Sequence, residues 1–149
     1  MRRVLITGGA GYIGSDLVNY LVEDHHVTVL DNVTYDPTSL LRYTCEENFH
    51  FVRGDVRDLR LLRELMNNTD VIIPLAALVG FPLCDKDPRT AREVNHEVNT
   101  WIAQNKSKDQ LVIYPCTNSG YGVGESGKVC TEESPLNPIS LYGKTKVAA

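Results

Sequence analysis

The sequence predicts an α/β fold, a doubly wound parallel sheet with helices on both of its faces. Short segments rich in β-branched residues alternate along the chain with longer segments of helical periodicity, which is the order expected of a parallel sheet. The chain has 149 residues, of which 42% are hydrophobic and 23% charged, so it is long enough for one domain with a core. Ligands of such sheets bind at the carboxyl ends of the strands. The segments that follow each strand are therefore the candidates for a binding site.

Five strands are predicted, at residues 3–7, 26–31, 50–54, 70–77 and 110–115. Helices are predicted at residues 12–23, 59–66 and 87–105, followed by a short helix near residue 149. In the first helix Ile13, Leu17 and Leu21 recur at helical spacing and predict one buried stripe. In the third, Asp87 is the expected N-cap and Pro88 the first helical residue.

The composition excludes several classes of protein. A formal net charge of −4 argues against a general nucleic-acid or membrane-surface binder, whose surface would be basic. Only a short apolar run follows Met1, so neither a secretory signal nor a membrane span is expected. The four cysteines lack metal-site or CxxC spacing and are interpreted as reduced thiols of a cytoplasmic protein. The four histidines are scattered, and no metal site is expected.

The first predicted strand runs into the segment TGGAGYIG. Gly9, Gly11 and Gly14 fit the pattern G-x-G-x-x-G, while Gly8, Gly11 and Gly14 fit T-G-x-x-G-x-x-G. Glycines between a strand and a helix allow a tight turn, close approach of a pyrophosphate, and an anion site at the helix start. The segment alone could be a simple turn, but its context predicts a Rossmann-type dinucleotide-binding unit.

Two carboxylates follow later strands at positions suited to the same ligand. Asp31 ends the second strand, where it can accept hydrogen bonds from ribose hydroxyls and repel a 2′-phosphate. No arginine follows it before Arg42, which favours NAD over NADP. The alternative interpretation is that Asp31 is only a turn residue that precedes Asn32. Asp55 could accept from an adenine amino group, although a capped turn before the next helix is nearly as good an interpretation.

Taken together, these motifs resemble the extended short-chain dehydrogenase/reductase family, especially its NAD-dependent nucleotide-sugar epimerases of the UDP-glucose 4-epimerase type. The resemblance covers residues 3–149. It implies NAD as cofactor. The residues that it implies for cofactor binding are Gly8, Gly9, Gly11, Tyr12, Ile13, Gly14, Asp31, Asn32, Asp55, Val56, Leu75, Ala76, Ala77, Asn95, Tyr142 and Lys146.

The resemblance also implies a catalytic set. Tyr142 would be the general acid/base, and Lys146, one helical turn on, would lower its pKa together with oxidised nicotinamide and hold the nicotinamide ribose. Thr117, after the fifth strand, would hydrogen-bond the reacting substrate oxygen, and Asn95 would support the loop that holds the catalytic residues. Without Thr117 and the glycine segment, a tyrosine and lysine four residues apart would indicate only a solvated helix pair.

Some positions depart from the family pattern. Pro74 stands where histidine is common, and Val98 where a glycine is expected. Cys116 stands in place of the serine that usually precedes the catalytic Ser or Thr. Asn118 and Ser119 occupy positions where sugar 4,6-dehydratases carry an acid pair, and neither can protonate a leaving hydroxide. The sequence is therefore interpreted as that of an epimerase rather than a dehydratase or decarboxylase.

The family resemblance further implies a longer enzyme. Relatives add two more strands and a carboxy-terminal substrate domain, so residues 1–149 are expected to be an incomplete NAD-binding domain, truncated after the fifth strand and the start of the Tyr142 helix. Such a chain is expected to bind NAD but to turn over nucleotide sugars poorly, and the complete protein to form a homodimer. Two alternatives stay open: an NAD-dependent dehydrogenase or reductase of another carbonyl substrate, and a stand-alone dinucleotide-binding module without catalysis.

Overall fold

The computed structural model describes residues 1–36, 38–124, 127 and 129–149. The chain divides into two compact units, each with its own set of internal contacts. The first unit comprises residues 1–76 and 102–115, and the second comprises residues 77–101 and 116–149. Each unit is described by itself.

The first unit contains a five-stranded parallel sheet in the order β3-β2-β1-β4-β5. Its strands are β1 (Arg3–Thr7), β2 (His26–Asp31), β3 (Phe49–Arg53), β4 (Val71–Pro74) and β5 (Leu111–Val112). This order, in which the chain starts at the centre and then winds to either side, is that of the doubly wound nucleotide-binding sheets. The predicted fold class is confirmed.

The edges of the sheet are shorter than predicted. β4 ends at Pro74, opposite Thr7, because the central strand β1 ends there and offers no further ladder. β5 pairs with β4 only through Leu111 and Val112, and no strand among the described residues pairs with its other side. The predicted strands at 70–77 and 110–115 were therefore too long, since length of an apolar run does not report the length of its partner.

Two helices lie within the first unit, α1 (Tyr12–Leu21) and α2 (Leu59–Asn67). Asp58 begins α2 by accepting from the backbone N–H groups of Arg60 and Leu61, each at 3.1 Å. In α1 the predicted stripe was wrong at its first member, because Ile13 is 64% exposed. It lies in the first turn, ahead of the part of the helix that packs on the sheet through Leu17 and Leu21.

Both faces of the sheet are buried. Val4 and Ile6 belong to a core cluster that also contains Val18 of α1. Successive side chains of a strand point to opposite faces, so Leu5 and Ile72 lie on the other face, where each is 0% exposed. Burial on both faces explains why the strands of this sequence are continuous apolar runs rather than alternating ones.

The second unit is built of short helices: α3 (Phe81–Lys86), α4 (Pro88–Arg92), a π-helical turn (Glu93–Glu97) and, at the end, α6 (Leu141–Ala148). α5 (Val98–Asn105) continues the chain after the π-helical turn. The helix predicted at 87–105 is thus interrupted by the π-helical turn, and α3 was not predicted. Helices α3 and α4 and the π-helical turn all pack against α6.

Two capping side chains fix the helix starts in the second unit. Asp87 accepts from the backbone N–H of Thr90 at 3.1 Å, which confirms the predicted N-cap. Ser140 does the same for α6, where its hydroxyl oxygen accepts from the N–H of Gly143 at 3.0 Å. The second cap places Tyr142 in the first turn of α6.

Candidate active site

The glycine segment of the first unit forms a turn that tolerates no side chain at two of its positions. Gly8 has φ of +72°, and a Cβ atom there would lie 2.5 Å from the backbone nitrogen of Ala76. A Cβ atom on Gly14 would lie 2.5 Å from the Cα atom of Gly9. The two patterns in the sequence overlap, and the structure gives Gly8, the first glycine of T-G-x-x-G-x-x-G, the left-handed conformation.

The start of α1 is suited to an anion. Gly11 is its N-cap and offers no capping side chain, and the first turn contains no acidic residue. Among the described residues, the backbone N–H groups of Tyr12 and Ile13 have no hydrogen-bond acceptor. Tyr12 is 96% exposed, so its side chain does not cover the turn. Free N–H groups at the positive end of a helix fit a pyrophosphate, and the segment is therefore suited to a dinucleotide.

Asp31 is attached to this turn. Its Oδ2 atom accepts from the backbone N–H of Ala10 at 2.9 Å, and its Oδ1 atom accepts from the N–H of Val33 at 2.7 Å. The carboxylate is half-buried, and each oxygen has a second lone pair that these bonds leave unused. The predicted ribose ligand thus also anchors the glycine turn. The neighbouring Asn32 Oδ1 accepts from the N–H of Thr34 at 3.1 Å and stabilises the following loop.

Asp55 has a strong partner of its own. The guanidinium of Arg57 donates to both carboxylate oxygens, from Nε at 3.0 Å and from Nη2 at 2.7 Å. The hydrogen bond from Arg57 lowers the pKa of Asp55 below its ordinary value. These bonds, with the N–H of Arg57 at 2.9 Å, match the capped-turn interpretation, although α2 itself is capped by Asp58. Val56 is 7% exposed.

The segment after β4 is held to β1 in the first unit. The N–H of Leu75 donates to Thr7 O at 2.8 Å, and the N–H of Ala76 donates to Thr7 Oγ1 at 3.4 Å. Both residues are half-buried. Ala77 begins the second unit and is likewise half-buried.

The second unit brings together the three predicted catalytic residues. Tyr142 and Lys146 lie one turn apart on α6, with Tyr142 half-buried and Lys146 only 5% exposed. Thr117 accepts from the N–H of Ser119 at 3.2 Å and begins a short 3₁₀ turn (Asn118–Tyr121). The Thr117 hydroxyl lies near enough to the Tyr142 phenol to lower its pKa, against the effect of burial. The sequence separation of 25 residues between them is closed by folding alone.

In the chain without NAD the pKa of Tyr142 is raised, whereas the lowering expected from Lys146 was for the protein with oxidised nicotinamide bound. Burial raises the pKa of the phenol above its ordinary value, the hydrogen bond from Thr117 opposes this, and the thiols of Cys84 and Cys116 raise it further. Burial also lowers the pKa of Lys146, because a desolvated ammonium is disfavoured. In the chain without NAD the phenol therefore carries its proton at neutral pH.

Asn95 lies at the centre of the second unit, inside the π-helical turn, and is 0% exposed. Its Oδ1 atom accepts from the N–H of Leu78 at 2.8 Å, and its Nδ2 atom donates to Leu78 O at 2.9 Å. One side chain thus holds both backbone groups of the residue just after Ala77. This is the arrangement expected of a residue that supports a loop.

Sequence reasoning missed several features of this region. The π-helical turn has no signal in residue periodicity, and Cys84, 0% exposed in α3, was interpreted only as a reduced thiol. Its Sγ donates to Leu78 O at 3.2 Å. Within the described ranges no group of three or more His, Cys, Asp or Glu could hold a metal ion. No helix in the same ranges has the length and apolar character needed to cross a membrane.

A parallel sheet in this order, a glycine turn that leads into an uncapped helix, and a carboxylate at the end of β2 define a Rossmann-type dinucleotide-binding protein. The sequence pattern of the NAD dependent epimerase/dehydratase family matches residues 4–149, and the chain belongs to that family. The family resemblance stated from the sequence is confirmed. NAD is the cofactor that the family name and the solved structures share.

Known relatives include epimerases and dehydratases. The low-salt glycan biosynthesis protein Agl12 of Haloferax volcanii is 35% identical over 152 residues, which cover 98% of this chain and 49% of that protein. UDP-glucose 4-epimerase of Lactobacillus helveticus is 31% identical over 150 residues, covering 97% of this chain and 44% of that protein. The chain therefore spans about half the length of the curated relatives it matches.

A solved structure also matches nearly the whole of this chain and about half of its own length. DesIV of Streptomyces venezuelae, a dTDP-glucose 4,6-dehydratase with NAD bound, superimposes with a TM-score of 0.88 at 31% identity. The match covers 98% of this chain and 48% of DesIV. Because an epimerase and a dehydratase are about equally similar to the chain, similarity alone does not choose between the two reactions.

Proposed function

We propose that the complete protein is an NAD-dependent nucleotide-sugar epimerase. The observation that carries this proposal is the placement of Tyr142 and the buried Lys146 one turn apart on α6, with Thr117 in the same unit and close enough to affect the pKa of the phenol. A protein that only binds a dinucleotide needs none of these three groups. Buried titratable residues with shifted pKa values are typical of catalytic sites.

The first unit supplies the groups that would hold the dinucleotide. The free N–H groups at the start of α1 would bind the pyrophosphate, and the glycine turn would let it approach the backbone. The unused lone pairs of the Asp31 carboxylate would accept from the adenosine ribose, where its charge disfavours a 2′-phosphate. Val56, buried just after β3, would pack on the adenine ring.

The second unit supplies the proton transfer. Tyr142 Oη would take the proton of a sugar hydroxyl and later return it, while Thr117 orients the same sugar oxygen. With oxidised nicotinamide bound, the positive charges of Lys146 and of the nicotinamide would together favour the phenolate, and Lys146 is also proposed to hold the nicotinamide ribose. Bound NAD supplies the acceptor and donor of the hydride at the sugar carbon. Return of hydrogen to the other face of the transient keto-sugar completes the epimerisation.

The residues after Thr117 support epimerisation over dehydration. Elimination of water needs an acid that protonates the departing hydroxide. Asn118 and Ser119, which follow Thr117 at the 3₁₀ turn, carry no proton of suitable acidity. The proposal therefore assigns this protein the simpler of the two reactions represented among its relatives.

We also propose that the complete protein acts as a homodimer in the cytoplasm, without nucleic-acid or membrane partners. The formal charge of −4 supports the absence of a polyanion partner. Light scattering of the purified complete protein, with a monomeric mass as the contrary result, tests the assembly.

The test of the function is a product analysis. The complete protein is incubated with NAD and UDP-hexoses in one sample, and with NAD and dTDP-hexoses in another. The products are separated by chromatography and identified by NMR. Interconversion of 4-epimers without net NADH formation supports the proposal. A 4-keto-6-deoxy product identifies a dehydratase. Stoichiometric conversion of NAD to NADH identifies a dehydrogenase, and consumption of NADH in a separate incubation with a carbonyl substrate identifies a reductase.

A matched pair of variants assigns the chemistry. Tyr142→Phe removes the phenolic hydroxyl, whereas Tyr20→Phe removes one from an α1 side chain that is 69% exposed. We expect the first to lose at least about 100-fold in kcat, since general acid–base catalysis contributes roughly that much. The second is expected to retain the parent rate.

A further inference from the structure

Three buried polar side chains of the second unit form a continuous series, here called the relay: Asn99, Asn95 and Thr145. They are 7%, 0% and 5% exposed. A polar group buried in a protein costs free energy unless it is hydrogen-bonded. The bonds that the relay makes therefore indicate what it holds in place.

Asn99 stabilises the π-helical turn. Its Nδ2 atom donates to Val94 O and to Asn95 O, each at 3.1 Å. In a π-helical turn the backbone bonds run from residue i to i+5, so carbonyls of this turn lose the partners that an α-helix would give them. The amide of Asn99 supplies donors to two of them. Asn99 Oδ1, which is buried, has no partner among the described residues.

Asn95 connects the π-helical turn to α6. One part of its amide is committed to the backbone of Leu78, as described above. Its Nδ2 atom also donates to Thr145 Oγ1 at 3.4 Å. Cys84 Sγ of α3 is a third acceptor, at 3.8 Å. The amide of Asn95 thus contacts the loop after Ala77, α3 and the helix of Tyr142.

Thr145 ends the relay on the backbone of α6. Its hydroxyl lies 3.0 Å from Leu141 O and 3.0 Å from Tyr142 O. Thr145 is the neighbour of Lys146 in sequence. It follows Tyr142 by three residues, which places the two about 60° apart around the helix axis. α6 has eight residues, and so short a helix has little intrinsic stability to define its orientation.

We propose that the relay fixes the rotation of α6 about its axis, and that Thr145 is thereby a positioning residue for the Tyr142 phenol and the Lys146 ammonium. The hydroxyl of Thr145 is directed to the helix backbone and to Asn95, so it acts on proton transfer through Tyr142 and not on the substrate. A rotation that moved the phenol by about 1 Å would be enough to lower the rate strongly. The proton-transfer part of this inference rests on the proposed function.

The first experiment observes Tyr142 directly in the 149-residue chain, without substrate. Tyrosine labelled with ¹³C at Cζ is followed by NMR through an alkaline titration, and the Tyr142 signal is assigned with Tyr142→Phe. Thr145→Val removes the hydroxyl at nearly constant volume, whereas Thr145→Ser retains it. We expect Val to broaden or split the Tyr142 signal and to move its titration toward that of an exposed tyrosine, and Ser to restore both.

Thr69→Val is the matched control. Thr69 is also buried, at 8% exposed, and its hydroxyl donates to Leu65 O four residues earlier at 2.8 Å, but it lies in the first unit. It should leave the Tyr142 signal unchanged. If Thr145→Val leaves the signal and titration as in the parent, or Thr69→Val alters them equally, the inference is wrong. Should Thr145→Val fail to fold, Asn99→Ala provides the same decision, because loss of the π-turn bonds must also disturb Tyr142.

The second experiment uses the complete protein and a nucleotide sugar that it turns over. Thr145→Val is expected to lower kcat by about 10- to 100-fold with KM within about twofold, and Thr145→Ser to recover most of the rate. An unchanged kcat in Thr145→Val contradicts the positioning role. If no nucleotide sugar is turned over by the parent, the proposed function fails, while the NMR titration still decides whether the relay holds Tyr142.

Discussion

The backbone of Gly8 lies against that of Ala76, so closely that a Cβ atom on Gly8 would come within 2.5 Å of the Ala76 nitrogen. Neither partner is a flexible side chain that could move aside. The glycine turn and the segment after β4 are consequently fixed relative to each other within the first unit. The requirement for glycine arises here from contact as well as from φ.

This contact predicts the result of Gly8→Ala. At Gly80, which also has positive φ (+86°), an added Cβ atom would meet only Pro82 Cδ at 3.9 Å. Gly80→Ala should therefore cost about 1–3 kcal/mol in free energy of unfolding, the strain of its backbone conformation alone, since φ of +86° with ψ of 162° is a region populated essentially by glycine. Gly8→Ala should cost distinctly more and abolish NAD binding, as measured by urea denaturation and calorimetry. Equal costs for the two variants would show that the contact with Ala76 is unimportant.

A second prediction concerns the cofactor preference. Asp31→Asn removes the negative charge and replaces one acceptor oxygen with an amide that cannot accept from Ala10 or Val33. We expect NAD to bind at least about tenfold more weakly, equivalent to about 1.4 kcal/mol, and discrimination against NADP to decrease. Asp24→Asn, at an exposed position, is the control. Calorimetric titration with both cofactors measures the effect, and tighter binding of NADP than NAD by the parent would contradict the role of Asp31.

A third prediction concerns stability. Asn95→Leu leaves the N–H and C=O groups of Leu78 without their partner, so we expect a loss of about 2–3 kcal/mol in free energy of unfolding. Asn67→Leu, at the exposed last residue of α2, should change stability by less than about 0.5 kcal/mol. Denaturant unfolding monitored by circular dichroism compares the two. A loss for Asn95→Leu no larger than that of the control would mean that Asn95 does not support the loop.

A fourth prediction follows from the buried lysine. The pKa of Lys146 is lower in the folded chain than its ordinary value of 10.5, so the folded state disfavours the ammonium. The contribution of Lys146 to the free energy of unfolding is therefore greatest above pH 10.5. It is lost as the pH falls through the pKa of Lys146 in the folded chain. Lys146→Met should therefore equal or exceed the parent in stability at pH 7, with the difference vanishing above pH 10.5, while turnover is lost.

The control for that prediction is Lys144→Met on the same helix, where the side chain is exposed and no pH-dependent gain is expected. Thermal unfolding at pH 7 and at pH 11 gives the comparison. A Lys146→Met chain clearly less stable than the parent at pH 7 would show that interactions of the ammonium outweigh its burial.

A fifth prediction separates binding from turnover. The groups proposed to hold the dinucleotide lie in the first unit, so the 149-residue chain should bind NAD. Positioning of a substrate can be worth roughly 7–11 kcal/mol of barrier, and the relatives devote about twice this length of chain to the complete reaction. The chain alone should therefore epimerise nucleotide sugars far more slowly than the complete protein. Similar rates in a coupled assay would refute this.

The parts of the fold that sequence could predict are those with local causes. The glycines after β1 and the carboxylate at the end of β2 have fixed spacing, and the structure joins them through the Ala10–Asp31 hydrogen bond. Asp87 and Pro88 likewise marked a helix start correctly. In each case the residue type itself, through backbone geometry or a nearby hydrogen bond, decides the local structure.

The remaining features depend on partners distant in sequence. The exposure of Ile13 depends on where α1 meets the sheet, and the length of β4 on where β1 ends. The pKa of Tyr142 in the chain without NAD depends on burial, which no motif reports. The lowering expected from Lys146 together with oxidised nicotinamide stays a prediction. The roles assigned to Thr117, Tyr142 and Lys146 stay predictions until the product analysis is done.

A π-helical turn is equivalent to an α-helix with one residue inserted, and here the inserted turn spans Glu93–Glu97. Removing a single residue from it would restore a regular helix and rotate everything on one side by about 100° relative to the other. Asn95 and Asn99 would then no longer share the arrangement described above. In alignments of this chain with its relatives, a one-residue gap in this helix therefore marks a change of helix type, and substitutions near the gap should be compared by the side of the helix that they occupy.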